Sequence, residues 1–210
     1  NGMMQNGKRV TVRAVLHTGD AVELNYEDTE EDENANLCAV KSELNIIFED
    51  EYIIAVNKPG DMPTHQSFGH YEDAMSNALA AYFRNQNRAF VFRAVNRLDL
   101  GTSGIVLVAK DRLSASKLSA QVQNGLVEKT YITCLDGEIP GEHGTVEGYI
   151  RRKGKSIITR EVCTQTDGAE YAKTVWHKIE SGNGHSLIEA KPITGRTHQL
   201  RVHFSSIGYP

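Results

Sequence analysis

The amino-acid sequence predicts an α+β protein. Short apolar runs bounded by glycine, asparagine and proline read as strands, and between some of them apolar residues recur at three- and four-residue spacing, as one face of a helix requires. A chain of 210 residues that is 40% hydrophobic can bury a sizeable core, enough for one domain with a possible appendage. No internal repeat or low-complexity tract interrupts the pattern.

Taken in order, residues 1–24 alternate apolar and polar positions around two turns, Asn6-Gly7 and Gly19-Asp20, and predict a β-hairpin. Residues 25–43 carry most of an acidic run and predict a solvated linker whose like charges repel. Residues 44–210 then form the main domain. Ile46 to Phe48 and Tyr52 to Val56 predict two strands around the acidic turn Glu49-Asp50-Glu51, and Asn57-Lys58-Pro59-Gly60 breaks the second. Ala74, Met75, Ala78, Leu79, Tyr82 and Phe83 predict a core helix over about 72–86. Asp111 is a suitable N-cap for a second helix through Leu113, Ala115, Leu118 and Val122, which Asn124-Gly125 stops.

Between the two helices, VNRLDLGTSGIVLVAK places a single carboxylate, Asp99, in a glycine-bounded loop just before the buried-looking run Ile105 to Ala109. Such a loop suits a catalytic acid or base, and it equally suits a structural Asx turn. Leu126 to Leu135 predicts a strand with Tyr131, Thr133 and Leu135 on one face, where a tyrosine ordinarily just packs. Arg151, Arg152, Lys153, Lys155 and Arg160 form a basic cluster, either a solvated face or a track for a phosphate backbone. Tyr171 to Glu180 and His185 to Ile193 predict strands around Gly182-Asn183-Gly184, and Gly195 with Thr194 or Thr197 opens a last helix.

The formal charge is −4, but Glu23, Glu27, Asp28, Glu30, Glu31, Asp32 and Glu33 lie together; setting aside these seven moves it to about +3. Cys38, Cys134 and Cys163 are far apart, which argues against a disulfide framework or a thiolate zinc site and fits a reducing cytoplasm. His198 and His203 stand five residues apart, a spacing that does not bring two imidazoles to one helical face, so no metal is expected. There is no long apolar run for a membrane span, and neither a G-x-G-x-x-G nor a Walker-type loop for a nucleotide cofactor.

Three stretches in the same order, IIFEDEYIIAVNKPGDMPTH, NRLDLGTSG and GRTHQLRVH, closely resemble the signatures of the RluA-type pseudouridine synthase family. The departure is Asn96, where the family has histidine. The resemblance implies a curved, mixed, largely antiparallel sheet with flanking helices, and isomerisation of uridine to pseudouridine in ribosomal or transfer RNA. It implies Asp99 as the catalytic carboxylate, Arg201 as its partner and Tyr131 against the target base, with Arg97, Leu200, Arg196, His65 and Lys129 contacting substrate. No cofactor is implied, since the reaction gains and loses no electrons, phosphate or water. RNA is the implied partner, with the enzyme acting as a monomer in the cytoplasm and not on a membrane. Residues 1–24 resemble the closing strands of an S-four-like RNA-binding module, and family members continue past Gly208-Tyr209-Pro210. A chain cut at both ends is the resulting expectation. Two other readings are a catalytically silent RNA-binding module and, last, a glycoside hydrolase, which ordinarily needs a second carboxylate.

Overall fold

The computed structural model describes residues 2–11, 13–25, 37–40, 42–154, 156 and 159–210. Most of the acidic linker expected at 25–43 lies outside the described residues, as does Lys155 of the basic cluster. The α+β class holds: among the described residues three helices accompany antiparallel strands in sheets of three, four and five strands. Two compact units divide the chain, Asn1–Ala94 with Leu100–Asp111 and Val95–Asp99 with Arg112–Pro210.

In the first unit, β1 (Gly2–Gln5), β2 (Lys8–Val10) and β3 (Val22–Asn25) form a sheet in the order β2-β1-β3. Asn6 and Gly7 both take positive φ, the twist a two-residue hairpin needs. Asp20 clamps the connection to β3: its carboxylate accepts from the backbone N–H of His17 and from the side chains of Asn6 and Gln5, which together hold its pKa below the usual range.

The four-stranded sheet runs β4-β5-β7-β6, built from β4 (Asn45–Glu49), β5 (Ile53–Lys58), β6 (Arg93–Ala94) and β7 (Gly104–Ala109). Asp50 shapes the β4–β5 turn by accepting from the backbone N–H groups of Tyr52 and Ile53. The run expected to be buried throughout β7 is buried only in part. From Ile105 to Val108 one face is buried, Val106 and Val108 fully, while Ile105 is 56% exposed, as an antiparallel strand with one face on the core requires; Ala109 at the strand's end is fully buried as well. Helix α1 (Met75–Arg84) buries the predicted face, with Met75, Leu79 and Phe83 essentially inaccessible. Lys58 ends β5 wholly buried, and its ammonium donates to the carbonyls of Pro59 and Met62, fixing the loop that follows the strand.

The second unit is a five-stranded sheet in the order β10-β9-β11-β12-β8 with helices α2 (Arg112–Gln123) and α3 (Gln199–Ser206). Its strands are β8 (Tyr131–Asp136), β9 (His143–Arg152), β10 (Arg160–Cys163), β11 (Glu170–Gly182) and β12 (His185–Pro192). Strand β8 begins five residues later than the apolar run suggested, and it keeps the expected alternation of Tyr131, Thr133 and Leu135 on the less exposed face. Helix α2 lies where predicted, but Leu113 is 64% exposed and Ser114 is the buried residue of its first turn. Leu135, Ile139, Val146, Trp176, Ile188, Ala190 and Phe204 form the core of the unit.

Candidate active site

Helix α3 is tied to the sheet by a glutamine. The Gln199 amide nitrogen donates to the Lys173 carbonyl and to Thr174 Oγ1, both at 2.9 Å. Its amide oxygen accepts from the Arg196 backbone N–H at 3.0 Å and from Thr194 Oγ1 at 2.7 Å. All four of its hydrogen-bonding positions are thereby used. One turn later, His203 Nδ1 shares a 3.0 Å hydrogen bond with Thr174 Oγ1, and burial pushes its pKa down. These bonds fix how far α3 is turned about its axis.

The start of α3 differs from expectation. Neither Thr194 nor Thr197 caps it; the cap residue is His198, held left-handed at φ 57° with no side-chain cap bond. A non-glycine residue in that conformation costs about 1–2 kcal/mol. The cost accompanies a specific placement, because the His198 imidazole meets Asp99 with Nδ1 2.7 Å from Oδ2. Arg201 approaches the same oxygen, Nε at 3.8 Å. Asp99 and His198 are each 30% exposed at the side chain and Arg201 55%, so the cluster opens to solvent while its carboxylate is oriented from two sides. Tyr131, the first residue of β8, lies within the field of Asp99: burial raises its phenol pKa and the neighbouring negative charge adds to the rise.

The second unit thus brings together Asp99, Arg201 and Tyr131, with His198 as a fourth member. In the sequence His198 pairs only with His203 as a possible metal ligand; the signal that points to its place here is its position inside GRTHQLRVH, three residues before Arg201. Lys129 lies close by Gly195, where an added Cβ would stand 3.4 Å from its ammonium nitrogen. Arg196 is tied down, donating to Glu170 Oε1 at 2.7 Å and to the Tyr171 carbonyl. Leu200 packs against the core cluster, and Arg97 is exposed two residues before Asp99. His65 belongs to the first unit, where it stands edge-on to Phe92 at 5.1 Å. Among the described residues no group of three His, Cys, Asp or Glu side chains could hold a metal ion.

The family model described as RNA pseudouridylate synthase matches residues 52–206, spanning all of these groups. The chain belongs to this RNA pseudouridine synthase family. It is similar to the Bacillus subtilis uncharacterized RNA pseudouridine synthase YjbO, 34% identical over 205 residues, covering 98% of this chain and 71% of the relative. It is 33% identical over 215 residues to ribosomal large subunit pseudouridine synthase D of Pseudomonas aeruginosa, covering 100% of this chain and 65% of that protein. The mitochondrial tRNA pseudouridine(32) synthase of Saccharomyces cerevisiae is 34% identical over 168 residues, 80% of this chain and 35% of that one. Among solved structures, human RNA pseudouridylate synthase domain containing 1 superposes with a TM-score of 0.64 at 26% identity, over 80% of this chain and 66% of the other. The chain is an RNA pseudouridine synthase, an isomerase that converts uridine to pseudouridine.

Proposed function

We propose that Asp99 is the carboxylate that carries this isomerisation, on uridines of structured ribosomal or transfer RNA. The observation that carries the reading is the oxygen Oδ2 of Asp99, held by His198 at 2.7 Å and faced by Arg201 at 3.8 Å. The chemistry requires a positioned carboxylate, whether it attacks the anomeric carbon or removes the 2′ proton. His198 and Arg201 orient it, and the Tyr131 ring offers the flipped base a flat surface to replace the stacking it loses on leaving its neighbours. Arg97, Lys129 and Arg196 supply positive charge toward the RNA and Leu200 adds an apolar contact beside them, while His65 contacts substrate from its own unit. The redox-neutral rearrangement runs without metal or organic cofactor, in a monomer in the cytoplasm. The sheet β1-β2-β3 adds RNA affinity.

The names of the relatives supply the substrate classes to test. Ribosomal and transfer RNA transcripts lacking modification are incubated with the protein, and pseudouridine is mapped by mass spectrometry. Conversion of a defined uridine in one of them is expected, with no change after dialysis against a chelator once the RNA's own magnesium is restored. Binding of both transcripts without conversion would contradict the proposal and leave an RNA-binding module.

A further inference from the structure

A groove of about 400 Å³ opens on the second unit where β9 and β10 meet the loop before α3. That volume lies within the roughly 300–1,000 Å³ of small-ligand sites. Four arginines line it, Arg151, Arg152, Arg160 and Arg196, against two carboxylates, Asp167 and Glu170. The register between β9 and β10 makes the charge pattern informative. Glu161 stands opposite Arg151 and pairs with it, Oε1 to Nε at 3.1 Å, whereas the next position sets Arg160 opposite Arg152. Residues directly opposite in an antiparallel pair share a face with Cβ atoms about 4.5–5.5 Å apart, so one anion over that face can meet both guanidinium groups. Arg196 is already oriented by Glu170 and the Tyr171 carbonyl, so its guanidinium needs little ordering to add a contact.

Thr197 also lines the groove, and the next residue, His198, holds Asp99. We infer that this groove binds the phosphodiester backbone of the RNA strand next to the reacting nucleotide, with Arg152 and Arg160 as the paired phosphate contacts. The inference rests on RNA being the substrate, and it assigns backbone recognition to Arg152 and Arg160, which lie outside the three signature stretches. Guanidinium groups suit the role because their planar donors meet phosphate oxygens two at a time.

The test is the salt dependence of binding to a labelled single-stranded oligouridylate, measured by fluorescence anisotropy across a potassium chloride series. It is run in an Asp99→Asn background so that binding is read without turnover. Each phosphate contact on a single strand contributes about 0.7 to the slope of log affinity against log salt. Replacing Arg152→Gln and Arg160→Gln together should lower the slope by about 1.4 and weaken binding about tenfold at moderate salt. Arg152→Lys with Arg160→Lys should restore most of the slope. Arg84→Gln with Lys117→Gln, an equal loss of charge on exposed helical positions, should leave it at the parent value. An unchanged slope in the double glutamine variant, or an equal fall in the helical control, overturns the inference. So would uridine monophosphate or inorganic phosphate binding that the glutamine variant loses while the oligonucleotide slope stays constant, since the site would then take a free anion. If circular dichroism shows the double glutamine variant unfolded, Arg152→Gln alone is judged by the same criterion, with a fall of about 0.7 expected. A chain that binds in this way but makes no pseudouridine would leave the groove assignment standing while the role given to Asp99 falls.

Discussion

Helices α1 and α3 are held by different physics. Seven of the ten residues of α1 are buried, most of them apolar, so packing on several sides sets its position. In α3 three of eight are buried, and two of those, Gln199 and His203, are polar groups hydrogen-bonded to β11. Burial of apolar area is non-directional and tolerates rearrangement of similar volume, whereas a glutamine using all four of its hydrogen bonds fixes rotation as well as position. The difference matters because α3 follows His198 and carries Arg201, which must reach one oxygen of Asp99. A helix that only fills space can be held by shape alone, and one that aims side chains needs directional bonds.

The contrast can be broken first at α1. Phe83 is 1% exposed and stacks on Phe90 with centroids 4.2 Å apart, so Phe83→Ala should cost about 3–5 kcal/mol in urea unfolding. In whatever fraction remains folded, the single-turnover rate should fall little. Gln199→Leu is the matching test in α3. It leaves several groups on β11 and in the 194–196 turn without their partner and should cost about 1–3 kcal/mol. Its single-turnover rate should fall at least about tenfold, the equivalent of 1.4 kcal/mol lost from positioning. Equal rate losses in the two variants, compared at matched folded fractions, would erase the distinction.

His203 sharpens the comparison through pH. Burial depresses its folded-state pKa below the ordinary 6.5, so between those two values the unfolded chain binds the extra proton. Stability should therefore fall as pH drops through 6.5 and level off once the folded ring itself is protonated, with a slope of at most about 1.4 kcal/mol per pH unit from this group. Urea midpoints at pH 7.5 and 5.5 should differ less in His203→Asn than in the parent. The smallest stability effect belongs to Arg201, whose side chain is 55% exposed and 3.8 Å from Asp99. Arg201→Gln should change unfolding free energy by less than about 0.5 kcal/mol, since exposed ion pairs contribute little. Its loss should appear in turnover instead.

The sequence makes α1 readable because its apolar residues recur at helical spacing and are the ones buried. The β8 face and the hairpin turn at Asn183-Gly184 were readable for similar local reasons, alternation and paired positive φ. Strand β9 was hidden. One of its faces reads Gly144, Val146, Gly148, Ile150, and the glycines interrupt the apolar alternation because neighbours fill their places. A Cβ on Gly144 would come within 2.7 Å of the Trp176 ring, and one on Gly148 within 3.0 Å of Val162. At the site, Asp99, Tyr131 and Arg201 were named from motifs, but the bond from His198 to Asp99 depends on a left-handed backbone turn that no spacing rule specifies. Helical periodicity relates His198 to His203, whereas its partner lies 99 residues away in sequence.

The most direct test of the account is the single-turnover rate of Asp99→Asn on a transcript that the parent protein converts, with circular dichroism and filter binding measured alongside. The amide keeps the shape and can still meet His198, but it lacks the charge and the nucleophilicity or basicity that base detachment requires. Pseudouridine formation should fall below detection while the fold and most of the RNA affinity remain. A parent-like rate in Asp99→Asn would contradict the account, and the chemistry would have to be assigned to another group.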